Sequence, residues 1–180
     1  MKEIKKLGAK TIYQSRWLKL REDRIRYPDG TDSTFGVVEK NDASMIVPLD
    51  DDGNVYLVEQ YRYPVGRRFW ELPQGSWEGK NDVDPITLAR GELLEETGLR
   101  ARDLQFVGYF FHAYGYSSHK CNLFLARGLE EGARNLDAEE QGLICKKFEL
   151  YDALRMVTDG EISDAGTIAA FGLLRLKNLI

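Results

Sequence analysis

The chain has 180 residues, 43% of them hydrophobic and 30% charged, with a formal net charge of −4; that is enough for one substantial core and a small accessory unit. The balance excludes a disordered chain, and the mild negative charge argues against a nucleic-acid partner with a broad contact surface. No stretch approaches the roughly 20 apolar residues of a spanning helix, and the basic opening MKEIKKLGAK lacks the apolar run of a signal peptide. The expectation is a soluble cytoplasmic protein with no membrane partner.

Residues 11–38 read as a small β unit, with Ile25 and Tyr27 before a Pro-Asp-Gly turn at 28–30 and Phe35, Val37 and Val38 after it. A unit of residues 1–40 is too small to bury much alone, so it must dock on the main domain, residues 41–180, or on a partner chain. Ser44 to Leu49 and Val55 to Gln60 are apolar strands around the turn DDDGN, whose aspartates read as a solvated turn rather than a calcium loop. The following EQYRYPVGRRFWELPQG places Arg62, Arg67 and Arg68 beside the aromatic strand of Phe69, Trp70 and Leu72, and Tyr61 and Tyr63 offer faces to a base. In SWEGKNDV, Gly75, Gly79, Lys80 and Asn81 miss both the spacing and the hydroxyl of a P-loop.

Asp84 before Pro85 reads as an N-cap with proline in the first turn, and Gly98 as a stop, which predicts a helix over 85–97. On it Glu92, Glu95 and Glu96 stand at i, i+3 and i+4, one stripe of three negative charges with no basic residue at the compensating positions before the stop. A hard divalent cation such as magnesium is the natural counter-charge, because it takes carboxylate oxygens and brings a phosphate with it. An isolated acidic stripe would read as a solvated face; its place after a glycine-bearing loop and an apolar strand favours a ligand site.

Further on, Leu104 to His112 and Cys121 to Arg127 read as strands flanking AYGYSSHK, and Leu143 to Phe148 as another. Cys121 and Cys145 are too few for a disulfide framework or a zinc site and are expected to be buried thiols. LEEGARNLDAEEQ is an acidic connection. Helices are expected from Leu150 to Thr158, closed by Asp159 and Gly160, and from about Asp164 to Lys177, the latter with core-like Ile168, Ala169, Phe171, Leu173, Leu174 and Leu176. Nothing repeats internally.

The stretch from Gly75 to Leu99 resembles the Nudix box, G-x5-E-x7-R-E-U-x-E-E-x-G-U, through Glu92, Leu93, Glu95, Glu96, Gly98 and Leu99. Its first half departs from the pattern: Val83 and Gly91 stand where glutamate and arginine are expected, and Gly75 lies two residues early, as if the loop carried an insertion. Losing both charges leaves neither unpaired, with Arg90 and Asp82 or Asp84 as candidate substitutes, so that restoring Val83→Glu with Gly91→Arg should leave activity intact. RWLKLREDRIRYPDG and LVEQYRYPVGRRFWELP look like the ADP-ribose pyrophosphatase branch of this family.

The resemblance implies an α+β fold, an α/β/α sandwich with a mixed β-sheet and a small N-terminal antiparallel β unit, in a homodimer whose N-terminal units reach across. It implies magnesium, with manganese as a substitute, held by Glu92, Glu95, Glu96 and the carbonyl of Gln74. It also implies hydrolysis of the diphosphate linkage of a nucleoside diphosphate derivative, ADP-ribose first. Arg62 would contact the diphosphate, with Arg67 or Arg68 as further candidates; Tyr114 stands where the branch carries a proline of the substrate loop, and His119 near its usual acid. Matching LDAEEQ to the family's mobile loop gives Glu140, with Glu139 as runner-up, as the base that takes the attacking water's proton; Glu95 is the remaining catalytic candidate. The altered loop keeps nucleotide sugars and diadenosine polyphosphates open as substrates, and the altered half-box keeps open a catalytically silent nucleotide-sugar binding module.

Overall fold

The computed structural model describes residues 3–77, 83–134 and 141–180. Three strands, β1 (Lys5–Gln14), β2 (Lys19–Arg26) and β3 (Asp32–Glu39), form an antiparallel sheet of their own, with the Pro-Asp-Gly turn joining the last two as expected. The sheet begins earlier than the sequence reading placed it, inside the basic N-terminal segment. Part of its apolar surface stays uncovered within the chain: Ile12, Tyr13 and Phe35 are exposed, as are Ile4 and Trp17 beside the strands, while Leu20, Val37 and Val38 are half-buried and Ile25 is buried.

The main body follows with β4 (Ala43–Pro48), β5 (Asn54–Arg62), β6 (Arg67–Glu71), the short β7 (Gln74–Gly75), helix α1 (Pro85–Glu92), β8 (Leu99–Phe111), β9 (Lys120–Glu131), β10 (Ile144–Glu149), α2 (Leu150–Thr158) and α3 (Ala165–Leu176). One sheet has the order β7-β4-β9-β8 and is mixed, because β4 runs parallel to β9 while the other pairs are antiparallel. A second sheet has the order β10-β5-β6.

Alternation along β4 and β9 divides the core in two. Met45, Val47, Cys121, Leu123 and Leu125 join Ala153 and Met156 of α2 and Ala170, Phe171 and Leu174 of α3. Ile46, Phe124 and Ala126 face the other way, onto Ala89 of α1 and Leu93. All six residues of β4 are buried, so helices cover both faces of this strand, the layering expected of the fold. Each fully buried aliphatic side chain here contributes about 1.5–3 kcal/mol.

Some local expectations change. On α3, Phe171 and Leu174 are buried, but Ile168 and Leu176 are exposed, and Ala169 faces solvent with them; the buried stripe runs through Gly166, Thr167 and Ala170 instead. Small residues lead that stripe because the start of α3 packs tightly on Met45 and His112. Cys121 is buried, its thiol pushed up to about 12 by burial, whereas Cys145 is only half-buried. In DDDGN, Asp51 and Asp52 are exposed as a solvated turn would have them, but Asp50 is half-buried and gives its carboxylate to Asn54, to the Asp52 amide and to Lys147 of β10. No helix among the described residues is long and apolar enough to cross a membrane.

Candidate active site

Asp84 caps α1 through the Thr87 amide, and Pro85 opens the helix. At Glu92 the α-helix gives way to a π-helical turn, Leu93–Thr97, which Gly98 ends in the left-handed conformation at φ 74°. Such wide turns are frequent at functional sites, and this one carries Glu95 and Glu96. The three acids are not a solvated face: Glu92 is 4% and Glu96 1% exposed, and Glu95 is half-buried.

The strand end opposite receives them. The Gln74 amide donates to Glu96 Oε2 at 3.0 Å. A Cβ at Gly75 would lie 2.6 Å from Glu92 Cδ and overlap its oxygens, so only glycine lets the carboxylate lie on the backbone there. Among the described residues no group of three or more His, Cys, Asp or Glu side chains is already gathered as an ion cage. The donor chemistry nevertheless fits a hard divalent ion, since two buried carboxylates, Glu92 and Glu96, meet the Gln74-Gly75 strand end, and carboxylate oxygen is the donor such an ion takes.

Beside Gln74 opens a cleft of about 630 Å³, lined by Lys40, Arg62, Phe69, Glu71, Gln74, His112, His119 and Asp164, with Pro64 and Val65 on its rim. Arg62 grips Glu71 with both arms, Nη2 to Oε1 at 2.6 Å and Nε to Oε2 at 3.2 Å, while 40% of its own side chain stays exposed. Burial pushes the Glu71 carboxyl up, the Arg62 guanidinium pulls it down, and Asp164 adds to the rise. The pair fixes a planar guanidinium at the cleft wall, the geometry suited to a phosphate.

The N-terminus of α3 closes the far side. Asp164 Oδ2 accepts from the Thr167 amide (2.7 Å), the Thr167 hydroxyl (2.8 Å) and Gln74 Nε2 (3.4 Å), and the same hydroxyl accepts from the Leu72 amide at 3.0 Å. The helix cap thus holds the Leu72-Pro73-Gln74 strand end. Thr167→Val strands the buried Leu72 amide and should cost about 1–3 kcal/mol in urea denaturation, with Thr167→Ser near wild type.

His112 and His119 stack at 5.0 Å with 25° between their planes. Burial and the nearby Lys40 charge lower His119 to about 4, and burial likewise lowers His112. Both imidazoles are therefore neutral at pH 7 and add no positive charge to the cleft. A histidine depressed in the folded state binds fewer protons there than when unfolded, so its contribution to stability is lost as pH falls from about 6.5 through about 4. His119→Asn should flatten the decline of the thermal midpoint over that window, and an unchanged slope would refute the assignment.

Of the residues singled out from sequence, the structure brings Arg62, His119 and Gln74 to the cleft and sets Glu92 and Glu96 against Gln74 and its neighbour. Arg67 does not line the cleft and lies over the Phe69 ring at 4.4 Å; Tyr114 is 85% exposed and also outside it. Arg68 donates to Glu59 and to the Gly142 carbonyl. Glu139, Glu140 and Asp82 lie outside the described residues. The proposed substitute pair involving Asp84 does not form: Asp84 is spent on Thr87, and Arg90 donates to the Ala101 carbonyl. Glu71, Lys40, Asp164 and Thr167 were missed as site residues; Asp-x-x-Thr reads from sequence only as a helix start, and nothing local says where that helix points.

Comparison with known proteins supplies the remaining observation. Residues 4–38 match the nucleoside diphosphate sugar hydrolase N-terminal domain, and residues 39–171 match the NUDIX domain, most of the chain. The chain belongs to the NUDIX family. It is 36% identical over 168 residues to an ADP-ribose pyrophosphatase of Mycobacterium tuberculosis (strain ATCC 25618 / H37Rv), spanning 93% of this chain and 81% of that protein. An ADP-ribose pyrophosphatase of Bacillus subtilis (strain 168) is 30% identical over 99% of this chain and 96% of its own length. Among solved structures, an ADP compounds hydrolase superposes with a TM-score of 0.84, covering 97% of this chain and 94% of that one at 23% identity, a likeness of fold. This Nudix protein is accordingly a pyrophosphohydrolase of a family that generally uses a divalent metal.

Proposed function

We propose that this Nudix hydrolase cleaves the diphosphate linkage of ADP-ribose to give AMP and ribose 5-phosphate, with magnesium as its ion and manganese as the substitute, in a cytoplasmic homodimer. The observation that carries the reading is the seating of buried Glu92 and Glu96 on the Gln74-Gly75 strand end, beside a cleft whose wall presents Arg62. Glu92, Glu95, Glu96 and the Gln74 carbonyl would hold the ion, which would supply neutralisation of phosphate charge and a lowered pKa of water.

The chain's own groups do the rest. Arg62, braced by Glu71, orients the diphosphate; His119 meets the group beyond it as a neutral hydrogen-bonding partner. Glu140 accepts the proton of the water that attacks phosphorus as the bridging P–O bond breaks, and Glu139 is the alternative. Arg67 and Tyr114 approach only from outside the cleft. The exposed Ile12, Tyr13 and Phe35 of the N-terminal sheet support its role as the dimer-forming unit.

The tyrosine at 114, where the ADP-ribose branch carries a proline, favours a second substrate reading, a diadenosine polyphosphate or nucleotide sugar. A panel of ADP-ribose, nucleotide sugars and diadenosine polyphosphates, with magnesium and phosphorus NMR of the products, decides among them. Highest kcat/KM on ADP-ribose with AMP formed is the expected result; preference for another member reassigns the substrate. Binding without turnover under magnesium and manganese would leave only the silent binding module.

A further inference from the structure

Two glycines face each other's neighbours across the gap between α1 and the segment after β7. Gly75 admits the Glu92 carboxylate, as described above. One residue before Glu92, Gly91 does the same for an aromatic ring: a Cβ there would overlap Trp77 Cζ2 and lie 3.2 Å from its Cη2. The Trp77 carbonyl, in turn, accepts from Asn41 Nδ2 at 2.9 Å, which ties the segment back to the entry of β4. The stretch Gly75-Ser76-Trp77 is thus pressed onto α1 at two adjacent points, a ring seated on Gly91 and a carboxylate seated on Gly75.

The glycine at 91 stands where the Nudix pattern has arginine, and the structure gives it a physical reason: the space that a side chain would take is filled by the indole. The restoration Val83→Glu with Gly91→Arg, neutral when judged from charge alone, therefore drives the Cβ of the new side chain into the Trp77 ring and is expected to impair the protein. We propose that Trp77 is a positioning residue for Glu92: its ring, clamped on Gly91, holds the Gly75 backbone against the Glu92 carboxylate and so sets the direction in which that carboxylate presents its oxygens. The inference rests on the reading of Glu92 as an ion-holding group. Displacing the ring frees the strand end by tenths of an ångström to an ångström, enough to disturb such a group.

The test compares Trp77→Ala, Trp77→Phe, Gly91→Ala and the double variant Trp77→Ala with Gly91→Ala in the full chain. Manganese binding is read directly from the electron paramagnetic resonance of the free ion, alongside the thermal midpoint, kcat and KM. Trp77→Ala should weaken manganese binding about tenfold and lower kcat with a smaller change in KM, as loss of a group that orients a ligand does. Trp77→Phe, which keeps a ring on Gly91, should bind manganese nearly as the unaltered protein does, and it keeps the test open if the alanine variant fails to fold. Gly91→Ala should resemble Trp77→Ala, because its methyl evicts the ring. In the double variant that methyl enters vacated space, so the effects should not add. Unchanged manganese affinity in Trp77→Ala, with only a lower midpoint, would reduce Trp77 to packing and overturn the proposal. Simple additivity of the two single effects would overturn it as well. If the unaltered protein took up no manganese, the ion-holding reading of Glu92 would fall first and the positioning role with it.

Discussion

Glu96→Gln should lower kcat by about 100- to 1,000-fold on the preferred substrate while the fold survives, the size expected when a Lewis-acid contribution of several kcal/mol is lost. The substitution is nearly isosteric. Glutamine keeps an oxygen for the Gln74 amide, which now meets Glu96 Oε2 at 3.0 Å, but removes a negative charge from a position 1% exposed. The thermal midpoint in the presence of a chelator, measured alongside, should stay near that of the unaltered protein, so that lost turnover reads as loss of the carboxylate's charge and not of the fold. A Glu96→Gln protein with near-normal kcat would remove Glu96 from the ion-holding set.

Glu140→Ala carries the second large effect, a fall in kcat of about 100- to 10,000-fold with KM little changed, since a general base acts in the transition state and contributes little to ground-state binding. The residues on either side are tied down: Arg134 donates to the Leu143 carbonyl at 2.9 Å and Arg68 to the Gly142 carbonyl at 2.6 Å. Glu139→Ala, made in parallel, should retain most of its turnover. If the two variants exchanged behaviours, the base would be Glu139; if neither lost turnover, the base lies elsewhere.

Much of the fold was legible because periodicity survives in single elements. The α2 boundaries, Leu150–Thr158, coincide with the sequence reading, the cap of α1 at Asp84 was visible as a side-chain acceptor ahead of a proline, and α3 begins where the sequence reading started it, at Asp164. The acidic cluster was equally visible as spacing along one expected helix, although that helix ends as α1 at Glu92 and Glu95 and Glu96 stand on the π-helical turn that follows. What failed was inference about faces. Ile168 and Leu176 look like core and are exposed, because the face a helix buries is set by its neighbours, and α3 presents its small residues to Met45 and His112. The charge argument for Arg90 and Asp84 failed because each had another partner: Asp84 is spent as the cap of its own helix, and Arg90 reaches the Ala101 carbonyl of β8, which no short sequence window displays.

The sequence by itself determined the order of the elements, their caps and stops, the half-box of acids and the family to which they point, all properties carried by residues within a few positions of one another. Only the tertiary structure decided that Glu92 and Glu96 are buried rather than solvated, that Arg62 is braced by Glu71, that α3 delivers Asp164 and Thr167 to the strand end, and that Gly91 makes room for Trp77. Each of these depends on groups from separate elements meeting across the core, where close packing and the need to satisfy buried polar atoms select one arrangement from many that the local chain would allow.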